Sequence, residues 1–221
     1  MCGIVGFWGA TSSFELAERM ASCLHHRGPD DDGAWNEDGA PTLAFRRLSI
    51  LDLSPTGHQP MISASGRFAI VFNGEIYNFA ALRDELSRCG TSFRGHSDTE
   101  VLLAAFEKWG VRGGVERAHG MFALALYDRE RRELHLIRDR LGEKPLYYGV
   151  MGDTLVFGSE LKALRAHPGW NAEIDRGALA LFLRHNYVPA PYSIYRGVRK
   201  VVPGTMVTFR AGTFDAVDGF G

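Results

Sequence analysis

Apolar positions change period several times along the chain. Residues 3–8, Gly3-Ile4-Val5-Gly6-Phe7-Trp8, form a short apolar run that reads as a strand. Leu16, Met20 and Leu24 follow at spacings of four behind Ser13, which predicts a helix with Ser13 as its N-cap. Strand-like runs occupy 42–51 and 67–72. A second helix starts at Phe79, carries Leu82 and Leu86, stops before Gly90 and has Asn78 at its N-cap. Ser97-Asp98-Thr99-Glu100 has the form of a capping box, opening a helix with Val101, Leu102, Ala105, Phe106 and Trp109 that Gly110 ends. Four short strands at 121–128, 133–139, 145–149 and 154–157 read as a meander. A helical turn at 160–164 and a helix through Leu179, Phe182 and Leu183, capped by Asp175, complete the pattern. The segment 186–204, with Pro189, Pro191, Pro203 and Gly204, reads as extended. Strands and helices come in separate runs, so the expected class is α+β with mainly antiparallel sheets.

Composition narrows the picture. With 221 residues, 45% of them hydrophobic, the chain can bury roughly 70% of its extended surface and needs no staples. Its 25 basic and 26 acidic side chains leave a formal charge of −1. That provides no field for a polyanion or an anionic membrane, so no nucleic-acid or membrane partner is expected. Three cysteines without a CxxC pair fit neither a disulfide framework nor a zinc cluster. Cys23 and Cys89 are expected in helices, one of them packed in a core. The N-terminus lacks the basic residues of a signal peptide, and no apolar run approaches the roughly 20 residues of a membrane span. A soluble, cytoplasmic protein is expected.

The chemistry starts at Cys2. Removal of Met1, which a small second side chain permits, leaves a thiol and a free α-amine on one residue. The amine, with a reference pKa of about 8, is partly neutral at pH 7 and can serve the thiol as a base. Position alone allows a plainer reading, a small residue that starts a strand. Asn73-Gly74 is by itself an Asn-Gly hairpin turn, or a pair of donors, side-chain amide and backbone N–H, suited to an oxyanion. Arg47 is a solvated rim charge or a fork for a carboxylate. Asp98 is a first-turn helix charge or an acceptor for an ammonium. His25, His26, Asp30, Asp31 and Asp32 share a turn-rich loop, but adjacent histidines seldom converge on one ion, so no metal site is expected.

Eight motifs in register add to these residues. They are Met1-Cys2-Gly3-Ile4-Val5-Gly6, His26-Arg27-Gly28-Pro29-Asp30, Arg47-Leu48-Ser49-Ile50, Asn73-Gly74-Glu75-Ile76-Tyr77-Asn78, Ser97-Asp98-Thr99-Glu100, Gly120-Met121-Phe122-Ala123, the run from Arg138 to Tyr148, and Ser159-Glu160-Leu161-Lys162-Ala163-Leu164. Together they resemble the glutaminase domain of class II glutamine amidotransferases, and most closely that of glutamine-hydrolysing asparagine synthetases, over about residues 2–210. The resemblance implies an N-terminal-nucleophile hydrolase fold, a four-layer αββα sandwich of two mainly antiparallel sheets. It implies Cys2 as nucleophile with its α-amine as base, and an oxyanion hole from the Asn73 side chain and the Gly74 N–H. Arg47 would hold the α-carboxylate of L-glutamine, Glu75 and Asp98 its α-ammonium, and Leu48, Ser49, Ile50 and Leu51 would line the same pocket. The run from Arg138 to Tyr148 is expected to be structural or at a domain contact.

The resemblance also implies a partner. Ammonia released near pH 7 mostly becomes ammonium, so a dry path to an acceptor site is needed, in a synthetase domain or a separate subunit. No cofactor is expected for glutamine hydrolysis; ATP and Mg2+ belong to that synthetase domain, whose Ser-Gly-Gly-x-Asp-Ser loop this sequence lacks. The glutaminase domain is expected over 2–185, with 186–221 an extended segment leading toward an absent ATP-dependent domain, and the chain is read as stopping at that junction. Val202 stands where the family usually has proline, and the tail from Ala211 resembles nothing assignable. Pairing into a homodimer is a further family expectation. The alternatives are a non-catalytic docking module and another N-terminal-cysteine amidase. Intact Cys2, Arg47, Asn73, Gly74 and Asp98 speak against the first, and a pocket built for a zwitterion against the second.

Overall fold

The structure is a computed structural model and describes residues 1–10, 12–49, 55–211 and 213–217. Two six-stranded antiparallel sheets lie face to face, each covered by helices. The first has the order β10-β8-β9-β1-β3-β2, where β1 is Gly3–Trp8, β2 Asp31–Trp35, β3 Thr42–Arg47, β8 Tyr147–Met151, β9 Thr154–Gly158 and β10 Val198–Lys200. The second runs β12-β11-β7-β6-β5-β4, with β4 Met61–Ile62, β5 Phe68–Ile76, β6 Gly120–Asp128, β7 Glu133–Arg138, β11 Met206–Arg210 and β12 Thr213–Val217. The expected αββα sandwich is what the chain forms.

Three apolar layers hold it together. Between the sheets lie Ile4, Leu43, Phe45, Val71, Ala123, Leu136, Phe157 and Phe209, nearly all without solvent contact. Outside the first sheet, α1 (Phe14–Ser22) and α4 (Leu161–Leu164) pack Ala17, Met20 and Leu164 on Val5 and Phe7. Outside the second, α2 (Phe79–Arg88) and α3 (Asp98–Arg117) pack Leu82, Leu86, Leu102 and Phe106 on Phe68, Ile70 and Phe72. β5 shows why its sequence is almost continuously apolar: Phe68, Ile70 and Phe72 face helices while Ala69 and Val71 face the other sheet, so both faces are buried.

Several local expectations are corrected. The four strands from 120 to 158 are two hairpins in different sheets, β6–β7 and β8–β9, because Arg138 and Asp139 turn the chain between layers. Asp139, almost fully buried, accepts backbone N–H groups from Phe122, Leu141, Glu143 and Lys144, while Arg138 donates to the carbonyls of Gly142, Lys144 and Val201. That network gives the Arg138–Tyr148 run its structural role. The run past residue 185 is not simply extended, since β10 joins the first sheet and β11 and β12 the second. α5 (Arg176–His185) is capped by Asp175 as expected.

The caps differ in detail. Ser13 accepts from Leu16 N–H as predicted. Ser97 caps α3 through Thr99 N–H, but Glu100 turns away from the reciprocal bond and accepts from Arg94 and Gly95 N–H instead. Asn78 occupies the N-cap position of α2 without capping it; its side chain joins Arg117 O to His119 N–H. Gly110, at φ 73°, does interrupt α3, and a further helical stretch follows it to Arg117. Cys23 and Cys89 stand at helix C-caps, the first half-buried against the α1 layer and the second exposed.

Candidate active site

Asn73-Gly74 is not a hairpin turn. Both residues lie inside β5, Asn73 opposite Ala123 and Gly74 opposite Phe122 of β6. Glycine is required there because an added Cβ would stand 2.2 Å from Met121 O and 2.6 Å from Phe122 Cα. Alternation turns Asn73 to the face of Ala69 and Val71, the layer between the sheets against which Cys2 also packs. The Asn73 side chain is 1% exposed, and neither its Nδ2 nor its Oδ1 has a hydrogen-bond partner. An orphaned buried amide costs about 1–3 kcal/mol. Such a group in a native core calls for a functional explanation.

Cys2 is held just ahead of β1. Gly3 pairs with Arg46 of β3, Ile4 exchanges bonds with Ser159, and the Cys2 carbonyl accepts from Arg27 Nε at 2.9 Å. Arg27 is itself anchored by Glu160 at 2.8 Å. Gly28 follows because the chain there crosses the β3 backbone, where a Cβ would lie 2.5 Å from Arg46 O. The Cys2 Sγ accepts Leu48 N–H at 3.4 Å. Burial pushes the thiol pKa up, with the Leu48 bond opposing. The thiol therefore depends on a base to become a nucleophile. The chain's free α-amine, on Met1, is shifted the other way: burial lowers its pKa from the ordinary 8.0.

Cys2, Arg47, Leu48, Gly74, Glu75 and Asp98 line one recess. Arg47 is buried, with Nη1 4.0 Å from Asp31 Oδ2. Glu75 is pushed up to about 7 by burial and by Asp98 beside it. Asp98 is raised by burial, although Ile76 N–H donates to its Oδ2 at 2.9 Å. Arg47 thus shares the recess with two carboxylates, Glu75 and Asp98, that burial shifts toward their protonated forms, and a cation placed beside them would favour their ionised forms.

Not every expected residue lines the recess: Asn73 does not, although Gly74, the next residue of β5, does. Ser49 N–H donates to Asp30 Oδ2 at 2.8 Å, tying its loop to the His26–Asp30 segment. Ile50 and Leu51 lie outside the described residues. The loop histidine and acids are each drawn to a different partner, His26 to Glu160, Asp31 to His58 and Asp32 to Arg46. Among the described residues no group of three or more His, Cys, Asp or Glu is arranged to hold a metal, and no helix is long and apolar enough to cross a membrane. Gln59, Ser97 and Thr99 also line the recess; Ser97 and Thr99 stood in the sequence only as part of a helix cap and a family motif, and Gln59 was not singled out at all. Gln59 and Thr99 are ordinary polar residues whose role depends on long-range packing. Arg27 and Glu160 stood inside recognised motifs but carried no assignable chemistry until the fold brought them together.

A sandwich of this form, opening on a strand with a cysteine at its head, is an N-terminal-nucleophile hydrolase fold. The family model of the glutamine amidotransferase domain matches residues 1–218, and the chain belongs to that family, in its class II branch. Asparagine synthetase [glutamine-hydrolyzing] 1 of Bacillus subtilis (strain 168) is 38% identical over 95% of this chain and 34% of its own length. A putative asparagine synthetase [glutamine-hydrolyzing] of Mycobacterium bovis is 38% identical over 96% of this chain and 35% of its own. The chain thus spans about a third of the length of these curated relatives. Among solved structures, the glutamine phosphoribosylpyrophosphate amidotransferase of B. subtilis superposes with a TM-score of 0.71 at 20% identity, over 98% of this chain and 49% of that one.

Proposed function

We propose that this domain hydrolyses L-glutamine to glutamate and ammonia through a Cys2 γ-glutamyl thioester. The observation that carries the reading is the unpartnered, buried amide of Asn73, one residue before a glycine of the recess and on the layer where Cys2 packs. With Met1 removed, the α-amine sits on Cys2 itself and takes the thiol proton. The thiolate adds to the glutamine Cδ, and the carbonyl electron pair moves to oxygen, which accepts from Asn73 Nδ2 and Gly74 N–H. The ammonium returns its proton to the amide nitrogen, the C–N bond breaks and ammonia leaves. Water, deprotonated by the same amine, then splits the thioester to glutamate and restores the thiol. Arg47 takes the substrate carboxylate, and Glu75 with Asp98 its ammonium.

We propose further that the ammonia passes to an acceptor site in a synthetase domain or subunit. Its substrate would be aspartate, in keeping with the asparagine synthetase names of the relatives, and by the family resemblance its chemistry would use ATP and Mg2+. The glutaminase half needs neither. A preparation with free Cys2 is expected to release glutamate from glutamine without ATP, at one glutamate per ammonia, measured by a coupled dehydrogenase assay. No glutamate from a preparation shown by mass spectrometry to lack Met1 would overturn the reading.

The recess sets a pH dependence. Glutamine binds best to ionised Glu75, whose pKa is about 7 in the free domain. The affinity is therefore retained above pH 7 and falls as Glu75 protonates, by about tenfold per pH unit below that point. Calorimetric titration of glutamine into a Cys2→Ala variant isolates this binding from the nucleophile and base. Glu75→Gln should flatten the profile, and a profile flat between pH 5 and 7 before that substitution would refute the role of Glu75.

A further inference from the structure

β5 presents alternate N–H groups along the edge that borders the recess. Phe72 N–H donates to Gln59 Oε1 at 2.6 Å, and Ile76 N–H to Asp98 Oδ2 at 2.9 Å. Gly74 lies midway between them, and strand alternation turns its N–H to the same edge. On the far side Phe122, which faces Gly74 across the ladder, engages Asp139 through both its N–H and its carbonyl. The two bonded residues are themselves joined: Gln59 Nε2 donates to Thr99 Oγ1 at 3.3 Å, and Thr99 Oγ1 to Asp98 Oδ1 at 3.5 Å. A closed frame, Phe72–Gln59–Thr99–Asp98–Ile76, therefore surrounds the one N–H that the proposed chemistry uses.

We infer that Gln59 is a positioning residue for the oxyanion hole, fixing the stretch of β5 that carries Asn73 and Gly74. The inference rests on the glutamine hydrolysis proposed above. Gln59 is 5% exposed, and its amide is suited to the place because one group must accept from Phe72 and donate to Thr99. A methionine there leaves Phe72 N–H buried without an acceptor and cuts the tie to α3. Strand and helix then hold their relative positions less tightly, and oxyanion donors lose effect with displacements well below an ångström. Gln59 acts on the reaction through β5 and has no bond to the reacting carbonyl in this scheme.

The test uses Gln59→Met and Thr99→Val in the chain with free Cys2. Gln59→Met is expected to lower kcat about 10- to 30-fold with KM within about threefold. Glutamate γ-semialdehyde, whose thiohemiacetal with Cys2 places an oxygen in the hole, should lose affinity by the same factor. Alkylation of Cys2 by iodoacetamide, which develops no oxyanion, should keep its rate within about twofold. Thr99→Val, which spares the Phe72 bond, should show a smaller loss of about two- to fivefold, again shared between kcat and aldehyde affinity. Unchanged kcat and aldehyde affinity, or an equal loss in alkylation rate, would overturn the inference. If Gln59→Met does not fold, Thr99→Val decides by the same two readouts. If the wild-type chain turns over no glutamine, the reaction fails and the aldehyde affinities still judge the frame.

Discussion

Replacing Cys2 by alanine is expected to lower glutamine hydrolysis by about 10³-fold or more, while glutamine binding stays within about threefold. The thiol supplies the only carbon–sulfur bond in the scheme, whereas the binding groups, Arg47, Glu75 and Asp98, stand on β3, β5 and α3 and keep their places. The same loss should follow when Met1 is retained or a tag is left ahead of Cys2, although the thiol is then untouched. The reason is electrostatic. Burial raises the Cys2 pKa, so its thiolate is scarce without a proton acceptor beside it. Retaining Met1 ties the Cys2 nitrogen into a peptide bond and moves the amine one residue away. Steady-state assays on matched preparations, with N-terminal processing read by mass spectrometry, check both arms. Full activity of either the alanine variant or the blocked chain would refute the assigned nucleophile or base.

Much of this site could be read in the sequence because its residues sit in short motifs with unusual local chemistry. Cys2 at the head of a strand, Asn73-Gly74, Arg47 and Asp98 each carried an alternative plain reading, and only their order along the chain tipped it. The structure excludes the hairpin turn for Asn73-Gly74 for a reason that turn chemistry could not anticipate. The glycine is there to let β5 pass the β6 backbone, so a dipeptide that is a turn signal in isolation lies within a nine-residue strand. The four strands from 120 to 158 were legible as strands, but their division between two sheets was not. Hairpin spacing is set locally, while layer assignment is set by the buried Asp139 network, whose partners span residues 122 to 144. Gln59 had no signal at all, since its two bonds reach 13 and 40 residues along the chain.

Asn73→Ala is expected to lower kcat by about 10²- to 10³-fold, the usual cost of one oxyanion donor, with little change in KM. Its effect on stability should have the opposite sign from that of a structural asparagine. A buried asparagine held for the fold is hydrogen-bonded, and its removal lowers the melting temperature by stranding its partners. Asn73 has none: both amide atoms are out of water and unpaired. The native fold thus carries a desolvation cost that alanine removes, set against a small cavity between the sheets. The melting temperature should accordingly stay the same or rise while turnover collapses. Calorimetric melting and steady-state kinetics on the same preparation separate the possibilities. A lowered melting temperature with turnover retained would make Asn73 a structural residue and leave the oxyanion without its side-chain donor. Asn73→Asp sharpens the test, because it conserves shape but points a carboxylate at the developing negative charge. It should be no more active than alanine at pH 8, where a merely steric role would predict rescue.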